Sequence, residues 1–269
     1  MITVRVMTWN LWWRFGDWAA RREAIREVLR AERPDICGLQ EVWDDGETNL
    51  AGWLADELGM HWAFGAGSDQ RPWQDRIGDP RMRCGVGVLS RWPLADEKAY
   101  DLPEDPSRVA LAVRVDAPHA AVPVITAHLS VHPGSARRVK QVEWLARLTA
   151  DLPAEEHPPV VVGDLNAEPD SDEIRKFGGH LTTPVVEGQI LVDAWRYADP
   201  LDPGHTWDRE NPYVSQWMGP GARIDYIHIV VRGRGPGHVR SVRRAATGPV
   251  GDVWPSDHAA VVAELSEVP

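Results

Sequence analysis

Several features that would mark common protein classes are scarce in this chain. Only two cysteines, Cys37 and Cys84, occur in 269 residues. Each lies in or beside an apolar run, so they read as small core residues, not as a disulfide, a metal pair or a thiol nucleophile. No window approaches the roughly 18 consecutive apolar residues of a membrane span. The opening residues M-I-T-V-R-V-M-T-W-N alternate as a strand and lack a signal-peptide plan. A cytoplasmic protein with no stable membrane association is the expectation.

Positive charge is also short. The net charge of −11 weighs against a protein that holds duplex nucleic acid in a general basic field, because that binding depends on Lys and Arg neutralising phosphates. A nuclease is not excluded, since a divalent cation among carboxylates reverses the local charge. Phenylalanine occurs three times against fourteen tryptophans. Most of these indoles should pack the core, but Trp9, Trp12, Trp13, Phe15 and Trp18 are too dense for one buried face, and part of that cluster is expected to line a surface. No low-complexity tract or linker divides the chain, so one domain over residues 1–269, and a monomer, are expected.

What the chain does contain is one plan used twice. Residues 2–9 alternate as a strand that ends on Asn10. A helix follows from Trp18 to Glu32, with Ala20, Ala24, Ile25, Val28 and Leu29 on one face and Arg and Glu on the other. Pro34 closes it, and D-I-C-G-L-Q-E forms a short strand ending on Glu41. Further on, V-P-V-I-T-A-H ends on His128, an amphipathic helix begins at Ser135, and V-V-V-G-D-L-N runs through Asp164 to Asn166. The β-branched run reads as a strand covered on both faces, with Gly163 releasing the backbone where the polar residues begin. Two related halves, each delivering polar groups to strand ends, define an α/β protein.

Between the halves, residues 85–94 and 108–115 are strand-like, and Gly65 to Arg83 reads as a long loop rich in Asp, Arg, Gly and Pro. After Asn166 come a short polar helix near Ser171–Lys176, the strand R-I-D-Y-I-H-I-V-V, a strand from about Val239, and a final strand led by Ser256, Asp257 and His258. The strand ends thus offer Asn10, Glu41, His128, Asp164, Asn166, Asp225, Asp257 and His258. So many carboxylates cannot share a small volume as bare charges. A divalent cation resolves the conflict, and oxygen-dominated ligands favour Mg²⁺ or Mn²⁺ over zinc.

The motifs T-W-N-L, L-Q-E-V, G-V-G-V-L-S-R, A-H-L with R-x-x-Q (Arg138, Gln141), G-D-L-N-A-E-P, R-I-D-Y-I and S-D-H-A-A-V occur in this order over essentially the whole chain. The set resembles the endonuclease/exonuclease/phosphatase superfamily. The resemblance implies a four-layer α/β sandwich, two central mixed sheets flanked by helices, and phosphate-ester hydrolysis assisted by Mg²⁺ or Mn²⁺. It also implies roles. Glu41 is the principal metal ligand, with Asn10 and Asp257 nearby. Asp164 and Asn166 hold the attacking water and a phosphate oxygen, Asp225 orients His258, and His128 stabilises transition-state charge. Arg108 matches a phosphate-contacting position more loosely. Some deoxyribonuclease-like members carry a Glu ahead of the strand equivalent to Gly85–Ser90, paired to the histidine. Here that stretch reads D-P-R-M-R-C, which leaves the partner of His128 open.

Two aromatic-rich loops, Trp12–Trp18 and the stretch containing Trp207, are expected to flank the site as a wall for bases or a lipid chain, or else to anchor long loops. Trp12, Trp207 and Arg223 are candidate substrate contacts, and Arg14 and Arg209 could also reach phosphate. His61, His119, His132, His228 and His238 are left outside the site. The expected partner is a phosphate-ester substrate, with nucleic acid or a nucleotide foremost. A sphingomyelinase- or inositol-phosphatase-type hydrolase and a catalytically silent phosphate binder are the alternatives.

Overall fold

A computed structural model describes residues 3–131, 133–233 and 235–268. Met1, Ile2 and His132 lie outside them. The first half runs β1 (Thr3–Asn10), α1 (Trp18–Glu32), β2 (Ile36–Asp44), α2 (Leu50–Leu58), β3 (His61–Ala66), α3 (Arg71–Ile77) and β4 (Arg83–Ser90). The second runs β5 (Leu94–Leu102), β6 (Asp105–Val115), β7 (Val122–His128), α4 (Ser135–Asp151), β8 (Val160–Asp164), α5 (Asp172–Gly178), β9 (Leu191–Asp193) and β10 (Asp225–Val230). The chain then returns to the first sheet through β11 (Gly235–Ala245) and β12 (Ala260–Val268).

Two six-stranded sheets result, in the orders β11-β12-β1-β2-β4-β3 and β5-β6-β7-β8-β10-β9. Each contains one parallel pair made by a strand–helix–strand unit: β1 with β2 across α1, and β7 with β8 across α4. The remaining pairings are antiparallel. This is the doubled plan read from the sequence. The sheets meet face to face through Val6, Val88, Val124, Val162 and Ile227. Helices α1 and α2 cover the outer face of the first sheet with Ile25, Leu29 and Leu54, and α4 and α5 cover the second with Val142, Leu145 and Phe177. Four layers follow because strands such as β8 are apolar on both faces: Val160 and Val162 point between the sheets, and Val161 points to α4. Cys37 and Cys84 are buried and free. No helix among the described residues is long and apolar enough to cross a membrane.

Helix α1 occupies the predicted span, with Asp17 capping it by accepting from Ala20 N at 3.1 Å. Two expectations are corrected. The stretch Gly65–Arg83 is not one loop. It holds the end of β3 and the whole of α3, where Pro72 sits in the first turn and Gly78 caps the end in the left-handed region. Those residues punctuate a helix there instead of excluding one. Strand β2 also does not end on Glu41. It continues to Asp44 after a bulge between Leu39 and Val42.

Gly163 has φ +151°, and a Cβ at that position would lie 2.0 Å from the Ala127 carbonyl oxygen on β7. Gly163→Ala is therefore expected to destabilise the fold by about 1–3 kcal/mol or more, read as a lowered urea midpoint. An unchanged midpoint would contradict this tight passage between β7 and β8.

Candidate active site

Strand register alone assembles the floor of the site. In the second sheet His128 pairs with Asp164, and Asp164 pairs with Asp225, so three functional side chains stand in one row across β7, β8 and β10. In the first sheet Asn10 pairs with Gln40. The rows meet across the sandwich where Asn10 Nδ2 donates to Asp164 Oδ2 at 2.9 Å. Beneath them Gln40, fully buried, donates from Nε2 to Thr8 Oγ1 at 3.1 Å and to Thr126 Oγ1 of the opposite sheet at 3.0 Å. This polar tie between sheets is a feature that sequence reasoning missed, although Gln40 lies inside the quoted L-Q-E-V.

Glu41 stands on the bulge with φ +53°, a conformation that costs energy for a residue with a side chain. The bulge takes Glu41 out of the β2–β4 register, and its side chain lines the cleft. Its Oε2 is shielded from solvent and has no hydrogen-bond partner. Strain and an orphaned oxygen on one residue are characteristic of a site built to receive something.

His258 is held from three sides. Its Nδ1 lies 2.8 Å from Asp225 Oδ2, its backbone N–H donates to Ser256 Oγ at 3.1 Å, and its carbonyl accepts from Trp9 Nε1 at 2.9 Å. Ser256 in turn donates to the Asn10 carbonyl at 2.6 Å. The Nε2 edge faces Asp164 Oδ2 and Asp257 Oδ1, each at 3.9 Å. His128 Nε2 lies 3.4 Å from Asp164 Oδ2, and Arg108 Nη1 is 2.9 Å from the His128 ring nitrogens. Arg108 therefore fills the partner position that the missing Glu left open. The R-x-x-Q of α4 clamps the loop after His128: Gln141 accepts from Ser130 N at 3.1 Å and Arg138 donates to Ser130 O at 3.2 Å. Asn166, at φ +49°, donates from Nδ2 to Leu129 O at 3.0 Å, closing the same loop from the other side.

The tryptophan-rich loop after Asn10 is mostly anchored inward. Trp13 is 1% exposed, while Trp12, Phe15 and Trp18 are half-buried. At its centre lies Arg21, 1% exposed, whose guanidinium donates to the carbonyls of Leu11, Trp12, Trp13, Phe15 and Pro255. Periodicity assigns Arg21 to the polar face of α1. Instead it ties the loop leaving Asn10 to the segment entering Ser256–His258, and burial pulls its pKa down to about 10.

Eight predicted residues converge: Asn10, Glu41, His128, Asp164, Asn166, Asp225, Asp257 and His258, with Arg108 beside His128. Trp207 lines the cleft. Two candidates do not converge. Trp12 packs on Tyr213 at 4.2 Å and is not part of the cleft lining. Arg223 is buried in an ion pair with Asp193 at 2.7 Å and lies under the Tyr226 ring, so it stabilises the β9–β10 corner. Arg14 likewise pairs with Asp45 at 2.7 Å and stacks on Trp18 and Trp43.

The electrostatics are those of anions without enough counter-charge. Enclosure raises Asp164 to about 6, with Asp225 adding repulsion, and raises Asp257 to about 6, with Glu41 adding repulsion. Glu41 is raised by the same desolvation. Burial opposes charge on His258, but Asp225 and Asp257 outweigh it and lift the ring well above its ordinary pKa. Burial, Arg108 and His258 together hold His128 well below its own. Asp164, Asp225 and His258 have donor atoms within 4.8 Å of one another. Because Asp225 and His258 already bond each other, that group reads as a hydrogen-bonded array. Glu41, which lines the cleft near Asp257 and keeps one shielded oxygen without a partner, better fits a hard divalent cation.

A two-sheet sandwich with carboxylates, amides and imidazoles gathered at one strand-end edge is the architecture of a phosphoesterase hydrolase. The profile of the Endonuclease/Exonuclease/phosphatase family matches residues 7–258, and the chain belongs to that family. Among solved structures, an endonuclease/exonuclease/phosphatase from Beutenbergia cavernae DSM 12333 superposes with a TM-score of 0.74 at 24% identity, over 98% of this chain and 72% of that one. The human Nocturnin catalytic domain with bound sulfate anion gives 0.72 at 22%, over 99% and 95%. Truncated Caenorhabditis elegans TDP2 gives 0.71 at 20%, over 98% of each. Comparison with curated proteins gives no match.

If Arg21 holds two site loops through five carbonyls, Arg21→Met strands those acceptors in the interior. A stability loss of about 3 kcal/mol or more is expected, measured by denaturant unfolding. A loss below about 0.5 kcal/mol, the range of ordinary surface changes, would contradict the anchoring role.

Proposed function

We propose that this protein hydrolyses phosphodiesters with the help of Mg²⁺ or Mn²⁺ held by Glu41, with Asn10 and Asp257 as direct or water-mediated contacts. The observation that carries the reading is Glu41, strained at φ +53° and with one carboxylate oxygen left without a partner, in a cleft where burial also raises Asp164 and Asp257. Bound there, the cation supplies charge neutralisation at the phosphate and the departing oxygen.

The chain's own residues divide the remaining work. Asp225 fixes Nδ1 of His258, leaving Nε2 as the ring atom able to exchange a proton with the reacting groups. A water held by Asp164 and Asn166 attacks phosphorus and passes its proton to the Asp164 carboxylate, while His258, kept protonated by Asp225 and Asp257, presents its Nε2–H to a phosphate oxygen. The new P–O bond forms opposite the ester oxygen, which leaves as its own P–O bond breaks. His128 and Arg108 face the phosphate oxygens and stabilise the charge that builds on them. Nucleotide diesters, within single strands or small nucleotides, are the substrate class this reading admits, supported by the half-buried Trp207 and the exposed Trp217 at the cleft.

Purified protein is expected to turn over bis-p-nitrophenyl phosphate with Mn²⁺ or Mg²⁺ and to stop on addition of EDTA. His258→Ala should lower kcat by about 10² or more with an unchanged unfolding midpoint. EDTA-resistant turnover, or a near wild-type rate for the variant, would contradict the mechanism.

A further inference from the structure

The cleft that contains Glu41 has a volume of about 560 Å³, and its walls differ in chemistry. One wall is aromatic. Trp207 and Trp217 meet with ring centroids 5.1 Å apart and planes inclined by 59°. Trp217 is 46% exposed, and its ring is fixed by donation from Nε1 to Pro220 O at 3.0 Å. Trp207 lies beside Asp257, so the wall begins beside the proposed cation site. Val131, 52% exposed, adds a further apolar surface. The rim is acidic: Glu168 and Asp170 are exposed, and no salt bridge among the described residues engages either.

Cations are scarce along this cleft. Among its described lining residues the single guanidinium is Arg138, which is 3% exposed and held by Glu173 at 3.0 Å. His128 and His258 belong to the reacting end, as does Arg108. A nucleic-acid strand carries a charge at every nucleotide, and any phosphate beyond the one being cleaved would approach Glu168 and Asp170 with no base to receive it. Such repulsion acts within the Debye length of about 8 Å at physiological salt. The aromatic wall has the opposite preference, since an indole face stacks any flat or apolar group.

The geometry points to one substrate class for this site: a phosphodiester bearing a single negative charge, with an aromatic or apolar ester group seated on Trp207 and Trp217, in preference to strands with several phosphates. This inference rests on the phosphodiesterase reading and narrows it. It inverts the usual expectation for a nuclease, because added salt should relieve repulsion of a strand instead of weakening its binding.

The test compares kcat/KM per scissile bond for bis-p-nitrophenyl phosphate, a dinucleoside monophosphate and a short single-stranded oligothymidylate, with Mn²⁺, at low and at physiological salt. The wild type is expected to favour both singly charged diesters by about 10-fold or more, and salt should raise the oligothymidylate value. Trp217→Ala should raise KM for the dinucleoside monophosphate by about 5- to 100-fold, the span of one base–aromatic stack, and more than it lowers kcat. Glu168→Lys combined with Asp170→Lys should shift selectivity toward the strand. Equal or better cleavage of the strand, a strand rate that falls with salt, an unmoved KM in Trp217→Ala or an unmoved selectivity in the lysine variant would overturn the substrate class while leaving phosphodiester hydrolysis standing. Absence of metal-dependent turnover on all three substrates would overturn both.

Discussion

The constraint that governs this structure is the confinement of several carboxylates in a volume that excludes most water. Asp164 is 1% exposed and Asp225 is 1% exposed, while Glu41 and Asp257 face the same cleft. Desolvation and mutual repulsion raise Glu41, Asp164 and Asp257 toward neutrality. A fold tolerates such a cluster only when its other parts hold it in place. Here two sheets register their strand ends into adjoining rows, Gln40 ties the sheets beneath, α4 clamps the loop beyond His128, and Arg21 joins the two loops that bracket Asn10 and His258. Two buried carboxylate oxygens of this cluster are left without a partner, Glu41 Oε2 and Asp225 Oδ1, and of the two residues only Glu41 lines the cleft.

Much of this was legible in the residues. Strands β1, β7 and β8 and helices α1 and α4 were readable because burial writes itself directly into apolar periodicity, and the polar residues that end those strands stand out against it. The doubled plan followed from the same signal. Elements that are largely exposed, or too short for their apolar stripe to repeat, were not readable. The edge strand β5, L-A-D-E-K-A-Y-D-L, is largely exposed, and α2 and α3 are short helices defined by Asn49, Pro72, Gly59 and Gly78 at their ends.

Charged residues were the harder part of the reading. Arg21 and Arg223 have the residue type of a solvated surface, yet the first satisfies five carbonyls and the second is sealed against Asp193. Both roles depend on backbone and side-chain groups distant in sequence, which local pattern does not report. Glu41 was legible as a strand-end acid but not as a bulge in the left-handed region, because glutamate gives no local warning of that geometry. The tryptophans divide between the two meanings open to them. Trp13, Trp18 and Trp43 hold the first loop to the sandwich, whereas Trp207 and Trp217 remain at the cleft.

The central claim is that Glu41, and not the Asp164–Asp225–His258 array, is where the cation binds. Its most direct test is the anomalous scattering of a crystal soaked in Mn²⁺. The account predicts a peak within about 2.0–2.3 Å of a Glu41 carboxylate oxygen, with the His258–Asp225 hydrogen bond intact. A peak seated between Asp164 and His258 with none at Glu41 would contradict it.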